Sequence, residues 1–178
     1  MWSFITATTG VNKASMFIAP SVTPWRYQLP NGEVEPAHNP GVRLVKYDRQ
    51  TGVTLDIIQY YADLDAVNAN NHFEWIEGYS ATAMYSVPDL SNDSMEKVLG
   101  KLANFSSNEF QDFVKWYNTA GDNHANLCQR DCHHVVMCGL RHMTERPFNA
   151  CLHGPTNSFS PLCPTILMLL VLLAHILK

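Results

Sequence analysis

Four cysteines stand at fixed intervals late in the chain, Cys128-x3-Cys132-x5-Cys138-x12-Cys151, with His133, His134 and His142 among them. Thiolate and imidazole are zinc's usual ligands, so a structural zinc site is one chemistry open to this set. Disulfide formation is the other. Residues four apart on a helix have Cα atoms about 6 Å apart, inside the ~4.4–6.8 Å that a disulfide tolerates. A Cys128–Cys132 bridge would leave Cys138 and Cys151 to close a loop worth about 3 kcal/mol on a chain-entropy argument. Four cysteines allow three pairings, and spacing alone does not choose among them. A fifth, Cys163, lies apart near the C-terminus.

Hydrolytic chemistry asks for other residues. Two-metal phosphoesterases hold their ions with Asp, His and Asn side chains and clamp both the attacking and the leaving oxygen. Asp131-Cys132-His133 has a D-x-H shape, and Gly121-Asp122-Asn123-His124 looks like a scrambled G-N-H-[DE]. Neither follows a predicted strand, and the first lies inside the cysteine cluster, so both read as accidents of composition. There is no G-H-x-H, G-x-S-x-G, H-E-x-x-H or glycine-rich phosphate loop. No catalytic residue and no metal ligand is therefore assigned to this sequence.

The C-terminus carries a different signal. Ile166–Leu177 reads ILMLLVLLAHIL, preceded by the small and polar stretch from Gly154 to Ser160. These twelve residues, apolar except for His175, rise about 18 Å as a helix, short of a ~30 Å hydrocarbon core. Small residues, a short spacer and a terminal apolar tail are the layout of a GPI-attachment signal, with Ser158 the expected attachment residue. A buried terminal helix or a tail anchor is the structural alternative. Such a signal implies the secretory route and the cell surface or the secreted space, with the lysosome a further destination. In an oxidising compartment thiols are usually paired, which favours disulfides over zinc. Two N-glycosylation sequons, Asn92-Asp93-Ser94 and Asn104-Phe105-Ser106, agree with that route, and Asn104 is the better acceptor because Asp93 disfavours the first. The N-terminus, MWSFITATTG, lacks the basic and apolar regions of a secretory leader, which suggests that the chain is the back end of a longer protein.

Composition bounds the rest. With 178 residues, the chain is 46% hydrophobic and only 16% charged, against a usual ~25% charged. A disordered, highly charged chain is excluded. The net charge of −4 comes with no Lys/Arg run, so nucleic-acid binding lacks its electrostatic footprint.

The elements that must position these residues divide by period. Trp2–Thr8, Met16–Ile18, Arg43–Asp48 and Thr54–Tyr61 read as strands, and five prolines with Asn31-Gly32 make 20–41 a long loop. Ala62–Asn71 reads as a short helix, and 72–88 as a mixed segment. Met95, Val98, Leu99, Leu102 and Phe105 mark one amphipathic face, and Phe110, Phe113, Val114 and Tyr117 another. Asp93-x-x-Glu96 and Ser106-x-x-Glu109 are their start signals. A further helix is expected over Cys128–Leu140.

Several segments together resemble one family. Met16–Trp25 (MFIAPSVTPW), Asn39–Asp48 (NPGVRLVKYD), Leu55–Asn68 (LDIIQYYADLDAVN) and the cysteine spacing resemble the C-terminal third of the acid sphingomyelinase-like phosphodiesterases, and the apolar tail points to their GPI-anchored 3b branch. The resemblance runs from about Trp2 to Cys151. It implies an α+β fold: residues 1–69 as terminal strands of a calcineurin-like metallophosphoesterase β-sandwich, 70–153 as a small disulfide-stapled helical C-terminal domain, and 154–178 as the GPI-attachment signal. It implies the pairs Cys128–Cys132 and Cys138–Cys151.

The same resemblance implies a parent enzyme that hydrolyses phosphodiester bonds of sphingomyelin-like lipids or nucleotides with two zinc ions. Those ligands lie upstream of the matching region, so this chain is expected to lack them, to bind no zinc and to be inactive alone. Its expected partners are the upstream catalytic domain and, through the anchor, the membrane. Trp25, with Ser21 and Thr23, is the stretch expected to line a substrate cleft, and His38 is expected to be a solvated loop histidine. The alternative from a different class is a non-catalytic GPI-anchored surface binding module. A zinc-binding intracellular domain comes third.

Overall fold

The computed structural model describes residues 2–6, 12–24, 26, 28, 32–34, 37–121, 128 and 130–154. The fold is α+β, with strands first and helices after. Strands β1 (Trp2–Thr6) and β2 (Asn12–Phe17) pair antiparallel. Strands β3 (Gly41–Tyr47) and β4 (Thr54–Tyr61) form a hairpin with Gly41 opposite Tyr61 and Arg43 opposite Gln59. Its turn is built by Asp48, whose Oδ1 accepts from the backbone N–H groups of Gln50 and Thr51, both at 2.8 Å. Gly52 closes that turn at φ 74, a left-handed conformation that glycine adopts without steric cost.

Helix α1 (Leu64–Asn70) begins at Asp63, whose carboxylate accepts from Ala66 N–H at 3.0 Å, and ends at Asn71 in a left-handed conformation. Strand β5 (Ile76–Ser80) then adds to β4, giving a three-stranded antiparallel sheet in the order β3-β4-β5. It occupies part of the segment that sequence pattern left mixed. Gly78 interrupts the strand signal there, and the structure supplies the reason. A Cβ on Gly78 would lie 2.3 Å from the Trp116 ring, so the glycine makes room for an indole. Trp116 also meets the rings of Tyr61 and Tyr79 at centroid distances of 5.4 and 5.1 Å.

Helices α2 (Ala81–Tyr85), α3 (Asn92–Leu102), α4 (Asn108–Tyr117), α5 (Arg130–Arg141) and α6 (Glu145–Leu152) complete the described fold. One core joins α2, α3, α4 and α5 to the sheet, while Phe148 and Leu152 of α6 pack with Val135 and Cys138 of α5 in a second, smaller cluster. Ile57 of β4 packs with Tyr85, Met95, Val98, Leu99, Leu102, Phe110, Phe113 and Val136. Val98, Leu102 and Phe110 are fully buried, each side chain worth roughly 1.5–3 kcal/mol of burial. The apolar periods of α3 and α4 thus point where the sequence pattern sends them. Their caps differ from the motif reading. The N-cap of α3 is Ser91 rather than Asp93, and that of α4 is Ser107, whose hydroxyl accepts from Phe110 N–H at 3.1 Å. Phe105 lies beyond the end of α3, yet packs on the same core.

The Gly78–Trp116 contact yields a direct prediction. Gly78→Ala should destabilise the chain by about 1–3 kcal/mol through overpacking. In a Trp116→Ala background the same change should cost little. A thermal-denaturation double-mutant cycle measures both, and equal costs in the two backgrounds would contradict the contact.

Candidate functional site

Two places gather chemically capable side chains: a polar seam along β4, and the cysteine–histidine corner of α5 and α6. The seam begins at Asp56, which is 9% exposed. Its Oδ1 accepts from Ile57 N–H at 2.8 Å and Thr82 N–H at 3.1 Å, and its Oδ2 accepts from the Ser80 hydroxyl at 2.8 Å. Burial alone would raise its pKa, but these hydrogen bonds outweigh it and hold the carboxyl below the usual 3.8. Three residues on, Gln59 is 1% exposed and donates from Nε2 to the Tyr60 carbonyl at 2.7 Å. Arg43, opposite it on β3, donates from Nε to Gln59 Oε1 at 2.7 Å and reaches the Tyr79 hydroxyl at 3.4 Å.

The loop before β3 is anchored at both ends of this seam. Arg43 Nη1 donates to the Ile18 carbonyl at 2.5 Å, and Asn39 accepts from Leu64 N–H at 3.1 Å while donating to the Ala120 carbonyl at 3.3 Å. Within the loop, the exposed Ser21 hydroxyl donates to the Thr23 carbonyl at 2.9 Å and lies 3.0 Å from the Thr23 hydroxyl. These two expected cleft residues therefore bond to each other. Trp25 lies outside the described residues. The nearby open pocket is polar, about 410 Å³, and is lined by Arg26, Asn39, Asp63, Asp65 and Asn68 among others. His38 is half-buried, not a solvated loop residue, and burial lowers its pKa.

At the other place the four cysteines are paired. Cys128 bonds to Cys132, with Cα atoms 5.0 Å apart, and Cys138 bonds to Cys151, with Cα atoms 5.7 Å apart. The first pair does not span one helical turn as the spacing suggested, because Cys128 precedes α5 and only Cys132 lies on it. Cys138, wholly buried, projects from α5 to Cys151 on α6, a short helix that sequence pattern did not mark. His133 is taken up in packing: its Nε2 is 2.8 Å from the Leu102 carbonyl, and its ring meets Phe110 edge-on at 4.4 Å. It therefore joins α5 to the end of α3 and to α4. His142 is half-buried, and burial, then the neighbouring Arg141, lowers its pKa.

Among the described residues one group of three could hold a metal ion, His134, Cys138 and Cys151, with ligand atoms within 4.8 Å of one another. Its two sulfurs are bonded to each other, so neither is a thiolate. Oxidised, this group does not fit a zinc ion, still less the oxygen- and nitrogen-ligated pair of a two-metal phosphoesterase. Asp131 is exposed at the start of α5, and its D-x-H partner His133 is turned into the helical packing. Asp122, Asn123, His124, Ser158 and Cys163 lie outside the described residues. No helix among the described residues is long and apolar enough to cross a membrane.

Both sequon asparagines are exposed, with different surroundings. Asn104 sits in the turn after α3, its Oδ1 accepting from Ser106 N–H at 3.1 Å. Asn92 opens α3, and its sequon partner Ser94 is 3% exposed and donates to Asp89 Oδ1 at 2.7 Å.

An antiparallel sheet followed by helices, with one disulfide joining α5 to α6 and another tying the segment before α5 to that helix, defines a region of the α+β class. The chain belongs to the acid sphingomyelin phosphodiesterase family: residues 11–158 match the family's C-terminal region. It is 34% identical over 172 residues to the acid sphingomyelinase-like phosphodiesterase 3b of Mus musculus, covering 96% of this chain and 36% of that protein. The corresponding Homo sapiens protein is 35% identical, over 91% of this chain and 35% of its own length. A cyclic GMP-AMP phosphodiesterase of Mus musculus, SMPDL3A, is 30% identical over 78% of this chain and 30% of its own length. The chain thus spans about a third of these relatives.

Asp56 was not marked by any sequence motif. Its signal was an acidic residue inside the β-branched run LDIIQYY, a place that normally repels charge. Its lowered pKa sets the sign of a pH effect. A carboxylate with a depressed native pKa stabilises the fold above its unfolded pKa, and that stabilisation is lost as pH falls through the native pKa. Stability should therefore hold at mildly acidic pH and fall below the ordinary carboxylate range. Asp56→Asn should cost about 1–3 kcal/mol near neutral pH and flatten the acid slope. Thermal melts recorded from neutral to strongly acidic pH read both, and an unchanged slope in the variant contradicts the assignment.

Proposed function

We propose that this chain is the structural C-terminal region of a secretory, zinc-dependent phosphodiesterase resembling acid sphingomyelinase. The intact enzyme would act on phosphodiester bonds of sphingomyelin-like lipids or nucleotides. The observation that carries this reading is the match of residues 11–158 to a C-terminal region, together with its frame of two disulfides. In this proposal the two zinc ions and their ligands belong to the catalytic portion upstream of the matching region. These residues contribute no ligand to that pair and do not hydrolyse phosphodiesters alone.

Exposed apolar residues on the sheet support such a partner. β3 is an edge strand, and Leu44, Val45 and Tyr47 along it are 49, 50 and 57% exposed, with Leu55 of β4 at 44%. Isolated exposed apolar residues are ordinary, but Val45 and Tyr47 share one face of an edge strand, and an exposed apolar edge favours association. The upstream catalytic portion is the partner this reading assigns to it, and Trp25 with Ser21 and Thr23 is the stretch this reading expects to line the substrate cleft. Location at the cell surface through a GPI anchor at Ser158, and glycosylation at Asn104 ahead of Asn92, complete the proposal. The exposed turn around Asn104 supports the preference.

A chimera tests the division of labour. Residues 11–158 would replace the corresponding region of the mouse 3b-type relative, and turnover of a chromogenic phosphodiester would be measured in the secreted product. The chimera should hydrolyse it with zinc bound, whereas the 178-residue chain, supplied with zinc, should not. Turnover by the chain alone, or a folded chimera without activity, overturns the reading.

Glycosylation is read separately. When the chain is fused behind a secretory leader, Asn104→Gln should remove most of the glycosidase-sensitive mass, and Asn92→Gln little. The reverse pattern refutes the order of preference.

A further inference from the structure

The corner where α5 meets α6 holds more than a staple. His134 and Cys138 are four residues apart on α5 and so share one face of the helix. His134 Nε2 lies 3.7 Å from Cys138 Sγ, and Cys151 brings its sulfur to the same point from α6. In a tetrahedral zinc site, with Zn–N about 2.0–2.1 Å and Zn–S about 2.3 Å, neighbouring nitrogen and sulfur ligands stand about 3.6 Å apart. His134 and Cys138 thus already stand at the nitrogen-to-sulfur spacing of a zinc site, and the Cys151 sulfur lies within 4.8 Å of both. The two sulfurs are too close for a shared cation, because they are bonded.

We propose that reduction of the Cys138–Cys151 disulfide turns His134, Cys138 and Cys151 into a three-ligand site for a thiophilic divalent cation of the zinc class. The reductant is a thiol. Cys151 is half-buried and Cys138 wholly buried, so the incoming thiolate attacks Cys151 Sγ, the S–S bond breaks, and Cys138 leaves as thiolate and takes up a proton. A second thiol resolves the mixed disulfide. Two thiols are oxidised to one external disulfide, and two electrons and two protons arrive on the protein as two Cys–SH groups. Binding the cation then releases both protons. The sulfurs need to part to about 3.8 Å, a movement of roughly 1 Å each, and the fourth position is left to water. His134 Nε2 lies 3.2 Å from the Cys151 carbonyl oxygen, so it exchanges that hydrogen bond for the metal and carries its proton on Nδ1.

Cobalt(II) is the probe, since thiolate ligation gives a charge-transfer band and tetrahedral geometry gives intense visible bands. The full chain would be reduced without oxygen by a phosphine, which takes its oxygen from water and leaves no competing thiol. One equivalent of cobalt should bind to the reduced chain and to a reduced Cys128→Ser/Cys132→Ser variant, and none to the oxidised chain. Cys151→Ser should abolish the bands, and His134→Ala should weaken binding roughly tenfold or more. Far-ultraviolet circular dichroism should show the helices retained on reduction. Absence of the bands in the reduced chain, folded or not, overturns the proposal. So does binding that ignores His134→Ala, or binding lost with Cys128 and Cys132, because thiols gathered by an unfolded chain would behave in those ways.

Discussion

Strand β4 is the constraint on which the sheet and its join to the helices rest. It is the central strand, hydrogen-bonded to β3 on one side and β5 on the other. Ile57 enters the helical core, while Asp56 holds the start of α2 through Thr82 N–H and the Ser80 hydroxyl. Gln59 holds Arg43 and, through it, the segment ending β2, and Tyr61 meets Trp116 of α4. Two of these four residues are polar and nearly buried. Burying them costs free energy unless their hydrogen bonds are made, so they fix one arrangement of the neighbouring elements rather than adding bulk stability.

The helical half meets a different demand. α6 has eight residues and few apolar side chains, with only Phe148 and Leu152 buried. Such a helix has little apolar area to hold it, and isolated helices of that length are marginal in water. The bond from Cys138, at the bottom of α5, to Cys151 restrains it covalently. The loop it closes is longer than that of Cys128–Cys132, with sequence separations of 13 and 4, so on entropic grounds it constrains the unfolded chain more. Together with His133 bridging α5 to the carbonyl end of α3, the arrangement makes α5 the spine of that half.

What could be read in advance follows from how local each signal is. α3 and α4 were legible because their apolar residues recur on one face and that face meets the core. β3 and β4 were legible from β-branched and aromatic runs, and the pairing of the cysteines followed from family resemblance, which spacing left open. β5, α2 and α6 were not. β5 contains Gly78, whose place in a strand is explained only by an indole 38 residues later in sequence, and α2 is a five-residue helix held by Ser80 and Asp56. The caps slipped by one or two residues because several Ser and Asp neighbours could serve. Asp89 decides at α3 by gathering Ser91 and Ser94, bonds invisible to a motif. The seam of Arg43, Asp56 and Gln59 escaped notice for a like reason: each is unremarkable alone and acquires meaning from strand register.

The same contrast shows in how the polar side chains of the described region are used. Its polar side chains are spent on joining elements: Asp56 caps, Gln59 and Asn39 bridge, His133 packs, and two cysteine pairs close the last helices. A group with satisfied partners is held in place, and that precision is what a scaffold lends to a neighbouring site. Reactivity asks for the opposite, a group left with an unmet valence facing substrate or metal. His134 stands closest to such chemistry, since its nitrogen is 3.7 Å from Cys138 Sγ, in a pair of sulfurs whose bond a thiol can open. In the site proposed above, the state of that bond decides whether the two sulfurs can bind a cation, while α5 and α6 bring the three side chains together.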